Sequence, residues 1–301
     1  MKSVSYSQYS MWMECPLEWQ LSYVQGLRDR TQNISTLFGT ACHDTIQYWI
    51  KEAFKNGLKK ANRLDLDDKL YQRMIALFSE SVTTDENGNK IFPCTKPELI
   101  DHYKDGCQIL SDIRDSANKL FDIENWLLVG VEFPLEIMLK GNLKYKGFLD
   151  IVLKDKNSDQ IKIIDLKTST KGWTKYQKTS PAKINQLLLY KKFYSELFDL
   201  PQEEIVVEFV ILKRKLWENS DFPQKRISRF EPSNGKPSIR KASESFDKFI
   251  NECFTEDGEY KTDNIVATPS DSVCRFCQFS NDPSHCDKSV YLSKNRKPIN
   301  Q

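Results

Sequence analysis

Two apolar runs that end in charge constrain this chain more than any other feature. One is Gly147-Phe148-Leu149-Asp150; the other is Ile163-Ile164-Asp165-Leu166-Lys167. Side chains alternate along a strand, so Asp165 and Lys167 point to one face. If the two runs pair as a hairpin, three charged groups converge on one patch at the sheet's edge. Charge inside an apolar strand costs free energy unless it is paired, metal-bound or solvated. Two carboxylates beside a lysine suit Mg²⁺ or Mn²⁺, which take oxygen ligands and lean on substrate phosphate, and so suit metal-assisted phosphodiester hydrolysis. The competing reading is an exposed strand end with ordinary surface charge, since an Asp-x-Lys triplet is short and common.

The rest of the chain is patterned to enclose such a sheet. Helical spacing covers 5–25, with Tyr9, Trp12, Met13, Leu17 and Leu21 in register and a break expected at Cys15-Pro16. It resumes over 34–56 and 98–121, while 57–97 is charged and mixed, with a turn at Asp85-Glu86-Asn87-Gly88-Asn89. β-Forming residues then dominate. Strands are expected over 126–138, 144–154 and 161–167, turning at Gly141-Asn142 and Asn157-Ser158-Asp159. Pro181 opens a helix to about Phe198, Ile205 to Lys213 reads as a fourth strand, and a last helix runs from Pro237 to about Phe254. This order implies α/β packing, a mixed central sheet flanked by helices. At 301 residues, 39% hydrophobic and 29% charged, the chain has the balance of a soluble globular protein with a large core. The longest apolar stretch, Trp126 to Leu139, is broken by Glu132 and Glu136, so no membrane span is expected. Met1-Lys2-Ser3 leads into a polar–aromatic stretch rather than an apolar signal. A reducing cytoplasm is the expected setting, where the eight cysteines are thiols or metal ligands rather than disulfides.

A net charge of +2 does not mark a nucleic-acid binder, so the distribution of charge has to carry that argument. Between Asp165 and Glu196 stand Lys167, Lys171, Lys175, Lys178, Lys183, Lys191 and Lys192, with no acidic residue and with Trp173 and Tyr176 interleaved. Lysines neutralise phosphates and aromatic rings stack on unpaired bases, although such a run is more often a solvated basic face. Lys213-Arg214-Lys215 with Trp217, and Lys225-Arg226, extend the same electropositive track. Gln186 and Tyr190, four apart, share a helix face that either lines the site or packs as a helix flank. His43 has an imidazole able to ligate a divalent ion, but a lone helical histidine is more often a satisfied or surface one. Glu132 either joins the site or sits on an exposed strand face.

Cys274-x-x-Cys277 followed by Cys286 is spaced to chelate a metal and needs a fourth ligand; ordinary reduced thiols are the alternative. His285 adjoins Cys286, and neighbouring residues seldom both bind one metal. Cys42, Cys94, Cys107 and Cys253 are expected to be structural. No Gly-rich loop ends in Lys-Ser/Thr and no G-x-S-x-G elbow occurs, so neither ATPase nor serine-hydrolase chemistry is indicated.

Taken together, Gly147-Phe148-Leu149-Asp150 and Ile164-Asp165-Leu166-Lys167-Thr168-Ser169 resemble the signature of PD-(D/E)XK nucleases, whose catalytic core is the first Asp and the D-x-K. Three further matches look like the RecB-type exonuclease branch: Gly39-x-x-x-His43 in an upstream helix, Gln186-Leu187-Leu188-Leu189-Tyr190 after the third strand, and a lone upstream Cys15 with Cys274, Cys277 and Cys286, as in AddB nuclease domains and CRISPR-associated exonucleases. The resemblance spans residues 5 to 286. The pattern's proline has no counterpart beside Asp150, where Phe148-Leu149 stands.

The resemblance implies a restriction-endonuclease-like core in a single nuclease domain over 1–301: a mainly helical part (1–125), a catalytic core (126–215) and a helix with a cysteine-containing tail (216–301). His43, Asp150 and Asp165 would hold Mg²⁺ or Mn²⁺, with the main-chain carbonyl of Leu166 as an extra ligand. Lys167 would assist the attacking water, Gln186 and Tyr190 would position substrate, and Lys171, Trp173 and Lys175 would contact it. Cys15, Cys274, Cys277 and Cys286 would hold a 4Fe–4S cluster that joins the N- and C-terminal segments, with structural Zn²⁺ as the runner-up. The implied function is a metal-dependent DNA nuclease, an exonuclease on single strands or free DNA ends, in recombination, repair or CRISPR-adaptation-like processing. The implied setting is bacterial, archaeal or phage, with other recombination or adaptation proteins as partners and without membrane or ATP. The alternatives are a non-cleaving DNA-binding or structural subunit of a larger helicase–nuclease or adaptation complex, and a zinc-ribbon-like interaction protein.

Overall fold

A computed structural model describes residues 1–28, 33–85, 87–263 and 265–291; Glu86, inside the expected turn, lies outside them. In chain order, β1 (Lys2–Val4) leads into α1 (Tyr6–Glu14) and α2 (Pro16–Trp19), separated at Cys15-Pro16, and a wide π-type turn (Gln20–Val24). Then come α3 (Ile34–Asn56), α4 (Leu58–Ala61), α5 (Leu66–Glu80), a small hairpin of β2 (Thr83–Thr84) and β3 (Lys90–Ile91), α6 (Lys96–Asp115) and α7 (Ala117–Phe121). The strands β4 (Trp126–Lys140), β5 (Leu143–Asp155) and β6 (Ile161–Ser169) follow. The chain continues through α8 (Lys175–Thr179), α9 (Pro181–Phe198), β7 (Ile205–Lys213), β8 (Ile227–Phe230), α10 (Lys236–Cys253) and α11 (Asp271–Cys274).

The helices start where polar side chains satisfy their free N–H groups. Asn33 accepts from Thr36 N at 3.0 Å to cap α3, and Thr95 with Glu98 forms a capping box on α6. Pro181 occupies the first turn of α9, where a missing N–H is no loss. The stretch read as charged and mixed contains α5, whose buried Leu66, Leu70, Met74 and Leu77 follow helical spacing with charged residues between them. β1, β8 and α8 are too short to leave a periodicity signal. Among the described residues, no helix is long and apolar enough to cross a membrane.

The sheet is six-stranded and mixed. β5 pairs antiparallel with β4 along nearly its whole length. Its other side is shared: parallel β1 pairs Lys2–Val4 with Leu143–Tyr145, and antiparallel β6 pairs Ile161–Ile164 with Ile151–Lys154. Between those partners, residues 146–150 have no ladder on that side among the described residues. β6 runs on past Ile164 alongside parallel β7, and β8 closes the sheet. The three charged residues therefore lie not at a sheet edge but at a fork inside the sheet, where β5 and β6 part.

Two apolar layers enclose the sheet. On one face α1, α9 and α10 bury Tyr9, Phe193, Phe246 and Phe249 against Tyr145, Leu149, Ile163 and Phe209. On the other, α3, α5 and α6 bury Phe38, Trp49, Leu70 and Ile109 against Ile151, Leu153, Ile164 and Leu166. Alternation along β6 is regular, with Ile163 and Ile164 in opposite layers. Along β5 it fails once, since Leu149 and Ile151 fall in opposite layers although they stand two apart. Phe133 and Val131, their register partners on β4, do the same. Asp150 and Glu132 sit at this reversal, and Glu132 has a left-handed φ of +47°. Such a conformation in a non-glycine residue has to be enforced by its surroundings, and it concentrates at functional sites.

Candidate active site

The fork gathers side chains from both layers. Asp150 reaches across it, and its Oδ2 accepts from Leu166 N at 2.7 Å in place of the ladder bond that the parting strands no longer make. Asp165 and Lys167 share a face of β6, with Lys167 Nζ 2.7 Å from Asp165 Oδ2. His43 enters from α3, its Nδ1 3.5 Å from Asp150 Oδ2. From the opposite layer, α9 brings Tyr190 and Gln186, joined by a bond from Gln186 Nε2 to Tyr190 Oη at 3.1 Å. Glycines make these approaches close. A Cβ at Gly39 would lie 3.1 Å from Thr168 Oγ1, and one at Gly147 would lie 3.0 Å from Tyr190 Cε1 and 3.1 Å from Tyr145 Cε1.

Burial sets the electrostatics. Asp165 is 2% exposed and Asp150 9%. Desolvation pushes each carboxyl up to about 6, against the downward pull of Lys167. Desolvation, then the Lys167 ammonium, push His43 down to about 4, so its imidazole is neutral at neutral pH and able to offer a lone pair. Burial disfavours the Lys167 charge, but Asp165 and Asp150 outweigh it and its pKa is raised. Asp165 Oδ2 is buried, with the Lys167 ammonium 2.7 Å away as its close partner. Two carboxylates with a neutral imidazole in a dry fork are a donor set that fits a hard divalent cation. As they stand, no three His, Cys, Asp or Glu side chains among the described residues converge closely enough to hold an ion.

Gln47, which sequence reasoning passed over, completes the cluster. It is buried one helical turn beyond His43 and donates through Nε2 to Glu132 Oε1 at 2.7 Å and to the Asp150 carbonyl at 3.4 Å. The available signal was its i, i+4 spacing from His43. Glu132, left open between site and exposed face, is exposed on β4 and is tied through Gln47 to the Asp150 carbonyl.

Beside Lys167 opens a cleft of about 430 Å³, lined by Tyr6, Glu14, Glu18, Trp173, Lys183 and Gln186 among others. On the connector, Lys171, Lys175 and Tyr176 are exposed. Trp173 packs on Phe209 and Phe230, with ring centroids 4.9 Å and 6.2 Å away, and still lines the cleft. The basic track beyond β7 is largely taken up by α6: Arg214 and Lys215 pair with Asp101 and Asp105, and Arg226 pairs with Asp112.

The tail folds back onto the N-terminal helices. Thr268 Oγ1 donates to the Glu14 carbonyl at 3.0 Å, Gln278 Nε2 to the Leu27 carbonyl at 2.7 Å, and Gln20 Nε2 to the Asp263 carbonyl at 2.7 Å. Cys15, Cys274 and Cys286 are buried, Cys277 is half-buried, and none is in a disulfide. Burial, then the Glu18 carboxylate, push the Cys277 thiol up to about 12, with Cys15 and Cys286 adding to the rise. Burial also raises Cys286, with Cys15 and Cys274 adding. Among the described residues, no three of these sulfurs converge closely enough to hold an ion. His285 Nδ1 is engaged with Asp282 Oδ2 at 2.7 Å.

The sequence profile of the PD-(D/E)XK nuclease superfamily matches residues 3–281. Among solved structures, the chain is similar to a protein of Eubacterium rectale named as a putative exonuclease, at 12% identity and a TM-score of 0.45, covering 82% of this chain and 78% of that one. It is also similar to protein VC1899 of Vibrio cholerae, at 11% identity and a TM-score of 0.22, covering 80% of this chain and 51% of that one. No curated protein matches it significantly.

Proposed function

Because the chain belongs to the PD-(D/E)XK nuclease superfamily, we propose that it is a divalent-metal-dependent DNA nuclease whose reacting centre is the fork between β5 and β6. The observation that carries this reading is the buried Asp165 with Lys167 at 2.7 Å, beside an Asp150 that His43 approaches to 3.5 Å. His43, Asp150 and Asp165, with the Leu166 carbonyl, would hold Mg²⁺ or Mn²⁺. When bound, such an ion supplies Lewis-acid activation of water and neutralises charge on the scissile phosphate.

The chain's own groups do the rest. Lys167, kept charged by Asp165 and Asp150, places a cation where negative charge grows on the phosphate. The Leu166 N–H bond fixes Asp150 before substrate arrives, which leaves little reorganisation for the reaction itself. Neutral His43 offers a ligand without a competing charge. Gln186 and Tyr190, bonded to each other, would hold the backbone of the strand, and Lys171, Trp173 and Lys175 would contact it further out. The RecB-type patterns around His43 and Gln186 support single-stranded or end-bearing DNA as substrate and exonucleolytic action, in recombination, repair or adaptation-like processing. The same resemblance supports a 4Fe–4S cluster on Cys15, Cys274, Cys277 and Cys286, with Zn²⁺ as the alternative. Burial disfavours the thiolates of Cys277 and Cys286, and a cationic centre there would oppose that cost.

A timed digest of end-labelled single- and double-stranded DNA with Mn²⁺ tests the nuclease reading. Asp165→Ala and Lys167→Ala are each expected to lower the rate by at least roughly 10²-fold with unchanged circular dichroism. Undiminished cleavage by either variant would overturn the assignment. A chain that binds DNA but never cuts, with either metal, would favour a binding subunit.

A further inference from the structure

The segment 214–226 between β7 and β8 presents two aromatic rings to solvent: Trp217 is 60% exposed and Phe222 79%. We propose that Trp217 is a stacking platform for an unpaired base of the nucleic-acid strand served by the fork. The inference rests on the nuclease reading above and adds a preference for single strands.

Four observations carry it. First, the loop is rooted in the strand that bears Lys167. β6 pairs Lys167 with Ile211 and Ser169 with Lys213. The pairing then continues into the loop, Arg214 N donating to the Ser169 carbonyl at 2.8 Å and Lys215 N to the Thr170 carbonyl at 2.7 Å. Trp217 therefore stands at a fixed offset from the catalytic candidates rather than on a free arm. Second, its main chain is clamped from both sides by one side chain: Trp217 N donates to Gln224 Oε1 at 2.8 Å and Gln224 Nε2 donates to the Trp217 carbonyl at 2.6 Å. A platform held in place before binding loses less entropy when a ligand arrives. Third, Lys171 Nζ lies 3.8 Å from the Trp217 ring centroid, which places a cation against the ring on the connector that leaves the active site. Fourth, three of the loop's four cations are committed elsewhere. Arg214, Lys215 and Arg226 pair with Asp101, Asp105 and Asp112, so they anchor the loop on α6.

The attraction for phosphate near Trp217 is then left to Lys171, against the ring, and to Lys225, next to Gln224, both exposed. An aromatic ring beside lysines is the arrangement that takes successive bases of a single strand without regard to sequence. A duplex hides its base faces in its own stack and offers Trp217 nothing to cover.

The test reads binding without cleavage. Full-length chain carrying Asp165→Asn is titrated, by fluorescence anisotropy, into labelled oligo(dT) of about 20 nucleotides and into an abasic oligomer of equal length and charge. Adding Trp217→Ala is expected to weaken oligo(dT) binding by roughly ten-fold or more and to leave the abasic oligomer unchanged, while Trp217→Phe keeps most of the affinity. An unchanged thermal midpoint shows that the variants are folded. Equal oligo(dT) affinity with and without Trp217 overturns the platform, as does an equal loss on both oligomers or no binding of oligo(dT) by the parent. A chain that cuts nothing leaves this readout intact, so failure of the nuclease reading and failure of the platform are told apart.

Discussion

Asp150 and Asp165 are carboxyls that the fold holds out of water, and their titration is a handle on what they bind. Desolvation moves each from an ordinary value of 3.8 up to about 6. Between those limits the folded chain keeps protons that the unfolded chain releases. Their contribution to stability is therefore greatest at low pH and is lost as pH rises through about 6. A bound cation opposes this loss, because it needs the charged forms. The rise in Tm caused by Mn²⁺ should accordingly be small near about pH 5 and grow toward about pH 8, with its midpoint near about 6. His43, already neutral above about 4, adds nothing to that window. A metal-induced shift that is flat across the range would count against a carboxylate-held ion. The Asp-x-Lys pair was legible in the sequence because strand alternation alone brings its two side chains together. The bond from Gln47 to Glu132 was not, since it joins a helix to a strand 85 residues away.

Glycines decide how closely the secondary-structure elements pack. α3 lies on β6 with Gly39 against Thr168, and this contact sets the depth at which His43, one helical turn later, enters the fork. Gly39→Leu would overpack that contact and is expected to destabilise the fold by about 1–3 kcal/mol in a urea titration. It should also cost activity by displacing His43. An unchanged denaturation midpoint would show that α3 has room to shift. The paired reversal at Glu132 and Asp150 is a further feature that no single strand encodes: each run reads as a regular apolar strand, and the change of face shows only when both are assigned to their layers. α5 was missed because a narrow apolar stripe among charged residues looks like mixed composition until it has a partner helix to cover it.

Across the fold, the cysteine-containing tail meets the N-terminal segment. The tail crosses back to Glu14 at the end of α1 through Thr268 and to Leu27 through Gln278, with Cys15, Cys274 and Cys286 buried. A centre bridging Cys15 and Cys286 would close a loop of most of the chain, and a cross-link of that length restricts the unfolded state by on the order of 5 kcal/mol. Cys15→Ser is therefore expected to lower the thermal midpoint and to strip bound iron, measured by metal analysis of the purified chain. Zinc in place of iron would select the alternative centre. Wild-type protein with neither metal, and a Cys15→Ser midpoint equal to wild type, would remove the cluster altogether.

Local pairings were readable in the sequence. Alternation put Asp165 beside Lys167 and helical spacing put Gln186 beside Tyr190, because each relation is set by neighbours within a few residues along one element. Where these residues sit was decided only when the elements packed. The sequence pointed to a patch at a sheet edge, whereas the folded chain places it at an internal fork, where β1 and β6 divide one side of β5 and leave residues 146–150 unpaired. That gap depends on how three distant segments share a single row of backbone hydrogen bonds, and no local pattern records it. It is the gap that admits His43 to Asp150 from one face, with Tyr190 close to Gly147 from the other, and that buries Asp150 and Asp165 deeply enough to raise their pKa values.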